Sequence, residues 1–251
     1  MILFGSGTLI AKPVSGNLAA NPTPMAVGIL QDCQVEISRE IKELYGQDQM
    51  PVAIAPAKHK MTAKAKFAQI FGKQWTDLVF GQSTATAYNA FSVSPSTAIP
   101  TTPFQITPSI PGGGTFVEDL GVVNAATGLP FTRVASGPVA GQYSVNEGTG
   151  VYTFASADQV SGISVVISFI YTVSTGGVKM TFANQLMGYG PIFEANLVVA
   201  YNNQAALLRI FNCVCSKISL PTKNDDFVIP DFEFSAFANA AGNVFEIDTT
   251  Q

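Results

Sequence analysis

The side chains that most often carry out chemistry are scarce in this chain, and their spacing does not assemble a reactive set. The one histidine, His59, stands between Lys58 and Lys60, whereas a nucleophile–base pair or a zinc site usually needs histidine beside a second reactive group. Cys213 and Cys215 share one face of a predicted strand, and no further cysteine pair or histidine lies near them in sequence, which favours core packing over metal binding. We therefore predict no catalytic, cofactor-binding or metal-binding residues and no enzyme activity.

Two acidic pairs, Glu118-Asp119 and Asp225-Asp226, are the remaining candidates for acid–base chemistry or calcium binding. Both pairs lie in predicted turns, where acidic residues are common because their side chains bond the local backbone. The glycine-rich runs lack the third glycine of a dinucleotide-binding loop and the Lys-Ser/Thr of a phosphate-binding loop. We interpret all of these motifs as features of turns and flexible backbone.

The one concentrated charge feature is a lysine face over residues 58–66, where lysines alternate with apolar residues as in a strand. Asp231 and Glu233 alternate in the same way, so Lys64 and Lys66 are predicted to meet them across neighbouring strands, within one subunit or between two. A nucleic-acid stripe would need exposed aromatic side chains among the lysines, and a solvated strand face is the simplest alternative. The candidate contact residues are Lys58, Lys60, Lys64, Lys66, Asp231 and Glu233.

The elements that would position these residues are mostly strands. Alternation of apolar and polar residues predicts strands over 33–41, 58–67 and 231–236. The apolar spacing over 72–81, with Gly81 as a stop signal, predicts one short amphipathic helix. The predicted fold class is therefore an all-β sandwich or barrel with one short α-helix.

Composition divides the chain into an arm, a core and an insertion. The N-terminal residues are rich in proline and small side chains. The composition of residues 82–114 predicts a long loop or edge segment. Short β-rich segments follow over residues 115–173. The predicted parts are an extended N-terminal arm over 1–26, a β-sandwich core over 27–87 and 179–251, and a β-rich insertion or subdomain over 88–178.

The chain is poor in charge yet has no stretch that would span a membrane. Charged residues make up 12% of its 251 residues, whereas ordinary soluble domains have about 25%, and a spanning helix needs about 18 apolar residues in a row. We interpret this mismatch as apolar surface that other proteins cover.

The net charge of −4 disfavours tight binding of nucleic acid. Three cysteines without a disulfide pattern, and no secretory signal, indicate an intracellular origin.

Several segments together resemble the tail tube (major tail) protein of a long-tailed bacteriophage. They include Gly28-Ile-Leu-Gln-Asp, Lys42-Glu-Leu-Tyr-Gly, Asp77-Leu-Val-Phe-Gly and the C-terminal run that begins Lys217-Ile-Ser-Leu-Pro. The middle of the chain, from Glu118-Asp-Leu-Gly-Val onward, is similar to a β-rich module that recurs in phage structural proteins. The resemblance covers most of the chain, and its motifs contain no reactive residue.

This resemblance implies a virion protein that assembles in the host cytoplasm into stacked, hexameric rings. Strands would join between subunits into a ring-shaped β-barrel, and the stacked rings would be the conduit for DNA ejection, with DNA only in transit. The arm, the loop at 38–57 and the lysine face would contact adjacent subunits or the next ring. Implied partners are further copies of the chain, a tape measure protein inside the tube, baseplate and terminator proteins, and a sheath where the tail has one.

Two alternatives stay open from the sequence. One is a capsid decoration protein or another virion protein. The other is a β-sandwich recognition module for a glycan or host surface, which would need exposed aromatic side chains in one groove. Tyr143, Tyr152 and Tyr171 are the only candidates for such a groove.

Overall fold

The computed structural model describes residues 4–15, 22–69, 72–81, 84–222 and 224–250. Most of them lie in antiparallel strands with only short helices, which confirms the all-β prediction. The chain divides into two compact units. The terminal unit is the chain up to Thr84 and from Met180 onward, and the inserted unit is Ala85–Lys179.

The elements in chain order are β1 (Thr8–Ser15), β2 (Met25–Ala26), β3 (Leu30–Tyr45), β4 (Pro51–Phe67), α1 (Gly72–Trp75), β5 (Thr84–Ala85), β6 (Tyr88–Val93), β7 (Thr97–Ala98), β8 (Gln105–Ile106), β9 (Thr115–Asn124), β10 (Thr132–Arg133), β11 (Gln142–Asn146), β12 (Val151–Phe154), α2 (Ser156–Val160), β13 (Ser164–Val173), β14 (Lys179–Met180), β15 (Ile192–Tyr201), β16 (Gln204–Ser219), β17 (Asp231–Phe237) and β18 (Phe245–Thr249). α1 continues as a π-helical turn, Thr76–Phe80, and Pro111–Gly113 form a short 3-10 turn.

The terminal unit is built on one eight-stranded sheet in the order β2-β1-β15-β16-β17-β4-β3, with β18 also paired to β16. One face of this sheet is apolar because alternate residues of each strand point to it, as the period of two requires. Its buried side chains include Ala65, Phe67, Phe193, Phe232 and Phe234. The sheet is open in the described residues, with β2 at one end and β3 at the other.

The predicted helix over 72–81 is present and packs on this core. Leu78 is buried in the same cluster as the sheet residues. Gly81 ends the helix in the left-handed conformation, with φ of 62°, and its N–H bonds the carbonyl of Thr76. α2 in the inserted unit is a second short helix that the sequence did not indicate.

The N-terminal segment differs from the predicted extended arm. β1 pairs along its length with β15, and Leu9 and Ala11 are buried in the core. Residues 8–15 are therefore a strand of the sheet, because their apolar side chains alternate toward its buried face. Residues 1–3 and 16–21 of the predicted arm lie outside the described residues.

The inserted unit is a sandwich of two small sheets. One has the order β10-β11-β12-β8, and the other has β13 between β9 on one side and β6 with β7 on the other. Both sheets contribute to one core that includes Tyr152, Val165, Ile167 and Phe169. Residues 82–114, predicted as a long loop or edge segment, contain β6, a strand at the edge of its sheet that pairs with β13 over six residues. Ser-, Thr- and Pro-rich flanks concealed this strand in the sequence.

Candidate functional site

A two-stranded ribbon projects from the sheet of the terminal unit. β17 pairs with β4 only along residues 62–66, whereas β3 and β4 stay paired from Leu30 and Phe67 out to Tyr45 and Pro51. Residues 37–61, here called the ribbon, therefore extend past the sheet and, within the described residues, pair only with each other. The segment 38–57, expected as a loop, is thus a long hairpin.

The ribbon exposes much apolar surface. Seven of its large apolar side chains are more than half exposed: Ile37, Ile41, Leu44, Tyr45, Met50, Val52 and Ile54. Ile37 and Ile41 lie on the same face of β3, and Ile54 is opposite Glu43 on that face, so this patch continues the core face of the sheet. A two-stranded ribbon is marginally stable alone in water, and a contiguous apolar patch marks an interaction site. The ribbon is therefore the best candidate for a protein-binding surface.

Lys64 contacts both predicted carboxylates across the sheet. Its Nζ lies 3.2 Å from Glu233 Oε1 and 3.6 Å from Asp231 Oδ2. The hydrogen bond to Glu233, followed by the charge of Asp231, raises the pKa of Lys64 above its usual value. Lys66 is opposite Asp231 in the strand register, and Lys217 also approaches Glu233, at 4.0 Å. These contacts are within one subunit, and exposed pairs of this kind contribute about 0 to 1 kcal/mol each.

Lys58 and Lys60 lie farther along β4 than Lys64, and Lys60 lines the same surface pocket as Lys64 and Glu233. Lys58 and Lys60 are both exposed on the ribbon, and neither forms an ion pair with a carboxylate of the described chain. Arg39, which is opposite His59 in the register, is likewise exposed and without such a pair. Of the six predicted contact residues, Lys64, Asp231 and Glu233 are joined by ion pairs, whereas Lys58, Lys60 and Lys66 form none with a carboxylate in the part of the chain that the structure describes.

Arg209 forms a cross-strand ion network that the sequence did not indicate. Its Nε lies 2.9 Å from Glu194 Oε1, and its Nη1 lies 3.2 Å from Glu246 Oε1. Glu194 is partly desolvated, but its bonds to Arg209 and Asn196 outweigh that effect and lower its pKa. The two carboxylates lie on β15 and β18, on either side of β16. Only the strand order of the folded sheet brings these three residues together.

A buried carboxylate organises the inserted unit. Asp119 accepts hydrogen bonds from the hydroxyls of Tyr143 at 2.7 Å and Tyr152 at 2.9 Å, and from the backbone N–H of Gly121 at 3.0 Å. Arg133 lies 3.7 Å away. The predicted turn at Glu118-Asp119 is wrong, because both residues lie in β9 at a bulge, where Gly121 has φ of 109°. The Asp-Leu-Gly sequence imitates a turn signal.

The remaining candidates for chemistry are packed or isolated. Burial raises the pKa of the Cys33 and Cys215 thiols to about 11 and that of Cys213 to about 12, which makes them poor nucleophiles. Within the described residues, no three His, Cys, Asp or Glu side chains are grouped so that they could hold a metal ion.

The aromatic groove needed by a glycan-binding module does not form from the predicted tyrosines. Tyr143, Tyr152 and Tyr171 are 3%, 0% and 8% exposed and belong to the core of the inserted unit. Their ring faces pack on other aromatic side chains, such as Tyr143 on Tyr152 with centroids 5.9 Å apart. These three side chains are therefore structural.

Comparison with known proteins found no matching family model and no matching curated protein. Among the residues that the structure describes, no helix combines the length and the apolar character needed to cross a bilayer.

Proposed function

We propose that this chain is a structural virion protein that self-assembles into stacked, hexameric rings, which form the tail tube of a long-tailed bacteriophage and conduct its DNA. The observation that carries this proposal is the ribbon, a long hairpin that leaves the sheet and exposes apolar side chains along its length. Such a surface is stabilised when another protein covers it. A structural subunit that is always found in an assembly meets this requirement.

The open sheet supports the same proposal. β3 is sixteen residues long and stands at the end of the sheet, so one side of its backbone has no strand partner within the described chain. Exposed edges of this length invite pairing with another strand. In a ring, each subunit would cover the edge of the next, and the apolar residues that raise the hydropathy of the chain would lie in these contacts.

The charge distribution is compatible with DNA that passes without binding. The chain carries a net charge of −4, and Lys64 on the polar sheet face is held by two carboxylates. The carboxylates beside Lys64 weaken the attraction of that part of the surface for phosphate. The burial of Tyr143, Tyr152 and Tyr171 removes the specific support for a recognition module.

Electron microscopy of the purified protein, over a range of concentrations, tests the proposal. Rings or tubes with a central channel are the expected result. A protein that stays monomeric at about 100 μM, a concentration at which contacts of even micromolar affinity are largely formed, would refute self-assembly as its function.

A further inference from the structure

The inserted unit exposes a strand edge that has none of the usual protections. β6 pairs on one side with β13, over six residues and without a bulge, and among the described residues no strand pairs with its other side. The strand contains no charged residue, no proline and no glycine. Proteins protect free edges with charges, prolines, bulges or short length, and an edge without these features is a site for pairing with another strand.

The other short or outer strands of the inserted unit are protected in these ways. β9 carries Glu118, and two bulges interrupt its register with β13. β7 and β8 are two residues long, and each has a proline two positions before it and another two positions after it. β10 is equally short and contains Arg133. The unprotected edge of β6 is therefore an exception within its unit.

The hydrogen bonds of the backbone show which residues of β6 face the open side. The N–H of Ser94, just beyond the strand, donates to the carbonyl of Ile167 on β13. Bonding to one neighbour alternates along an antiparallel strand, so the N–H and C=O groups of Asn89, Phe91 and Val93 point away from β13. The side chains of these three residues share the outward face of the sheet, where Phe91 is 62% exposed and Val93 is 48% exposed.

This outward face carries little charge. β6 and β13 contain no charged residue, and the outward-facing charge of β9 is Glu118, which lies across Ile170 from Phe91. Like charges directly opposite each other on paired strands are destabilising. A strand without charge is therefore not repelled by a second copy of itself, and it offers no charge by which to select a different, charged partner.

We propose that β6 pairs with β6 of a second copy of the chain, in an antiparallel arrangement with a twofold axis at Phe91. In this register the open backbone groups of Asn89, Phe91 and Val93 bond to those of the second strand. Phe91 is opposite Phe91 of the second copy, and aromatic pairs across an antiparallel sheet attract each other. Such a contact uses the same patch on both chains, so it closes as a dimer.

The twofold contact goes beyond the proposed function and does not rest on it. Neighbours in a hexameric ring contact each other through two different surfaces, so pairing through β6 would join free chains or chains of separate assemblies. Two six-residue strands meet along about 20 Å, which is too short to bury the roughly 1,200 Å² of a stable interface. We therefore expect a weak dimer that dissociates on dilution.

Hydrogen exchange of the full-length protein tests the contact at the backbone. In protein at about 1 μM, below the dissociation constant of a weak dimer, the amides of Asn89, Phe91 and Val93 should exchange freely, because they have no partner. The amides of Ala90 and Ser92, which bond β13, should be protected. At about 500 μM the three open amides should exchange at least about tenfold more slowly.

Charged substitutions at the twofold axis test its symmetry. Phe91→Lys opposes two lysines across the axis and Phe91→Glu opposes two glutamates, so each variant alone should need at least about tenfold more protein to dimerise. A one-to-one mixture opposes lysine to glutamate and should dimerise more strongly than either variant alone. Leu120→Lys is the control for added surface charge, because Leu120 is 47% exposed but lies on β9, and it should dimerise as the wild type does.

Sedimentation velocity measures the dimer, and thermal unfolding of each variant establishes that it is folded. The inference is overturned if the open amides of β6 stay unprotected at about 500 μM, if Phe91→Lys dimerises as the wild type does, or if the mixture associates no better than its components. Rings or tubes in which these amides still exchange freely would overturn this inference and leave the proposed function intact. A wild-type protein that forms the dimer but no rings or tubes would support the inference and count against the proposed function.

Discussion

Replacing two isoleucines of the ribbon gives a quantitative test of its role. Ile41 and Ile54 are 58% and 60% exposed, so their contribution to the stability of the isolated chain is small. Complete burial of an isoleucine side chain is worth about 1.5 to 3 kcal/mol, and covering the exposed part of both would contribute about 2 to 4 kcal/mol per subunit. Threonine forfeits most of this contribution but keeps the branched Cβ that suits a strand.

We therefore expect the Ile41→Thr, Ile54→Thr protein to need about 10 to 100 times more subunit for assembly, since each 1.4 kcal/mol is a factor of ten. Sedimentation velocity across a dilution series measures this threshold. The thermal unfolding midpoint of the double variant should stay close to that of the wild type. Ile247→Thr on β18 is the matched control, because Ile247 is also 58% exposed but does not lie on the ribbon.

The result that would refute this reasoning is a double variant that assembles at the wild-type concentration while its circular dichroism shows an intact fold. An equal loss of assembly in the Ile247→Thr control would also refute it, because general surface hydrophobicity, and not the ribbon, would then drive association.

Three further predictions concern stability. Asp119→Ala leaves two buried tyrosyl hydroxyls without their acceptor, at about 1 to 3 kcal/mol each. Chemical denaturation should therefore show the inserted unit destabilised by about 2 to 6 kcal/mol, and a loss below about 0.5 kcal/mol would contradict the assigned role. Burial, with Asp119 as the second cause, raises the pKa of Tyr143 and Tyr152. Their contribution to stability is thus full below about pH 10 and falls at higher pH, where the tyrosines of the unfolded chain ionise. The free energy of unfolding in urea should therefore fall less steeply between about pH 9 and 12 in the Tyr143→Phe, Tyr152→Phe protein than in the wild type. Leu9→Ala in β1 should cost about 2 to 5 kcal/mol in the same assay, because Leu9 is 3% exposed, whereas a segment that merely lay on the surface would tolerate the change.

The periodicity of apolar residues predicted the strands and the helix that have one buried face and one exposed face. In β4 the residues predicted to point inward, Met61, Ala63, Ala65 and Phe67, are all buried. Gly81 ends the predicted helix because glycine adopts the left-handed conformation without strain. In both cases the signal is contained in a few neighbouring residues, so one sequence is sufficient to read it.

The features that escaped prediction depend on distant partners. β1 is a strand because β15, about 180 residues later, provides its hydrogen bonds, and its proline and small residues resemble those of an arm. Asp119 becomes a buried acceptor only when β11 and β12 bring Tyr143 and Tyr152 to it. The exposure of the ribbon could not be predicted from the sequence either. An alternation of apolar and polar residues predicts a strand, but it does not show whether the apolar face of that strand packs against a core.

Each unit has its own apolar core, but part of the apolar surface of the chain lies outside both cores. The ribbon adds apolar residues that neither core buries. A free edge is usually protected by charge or by pairing. Charged side chains do occur along β3 in the ribbon, at Arg39, Glu40, Lys42 and Glu43, but none lies between Gly46 and Ile54 except Asp48, and Met50 and Val52 are exposed there. The apolar tip is therefore the least protected part of the ribbon, which suits a partner that covers it.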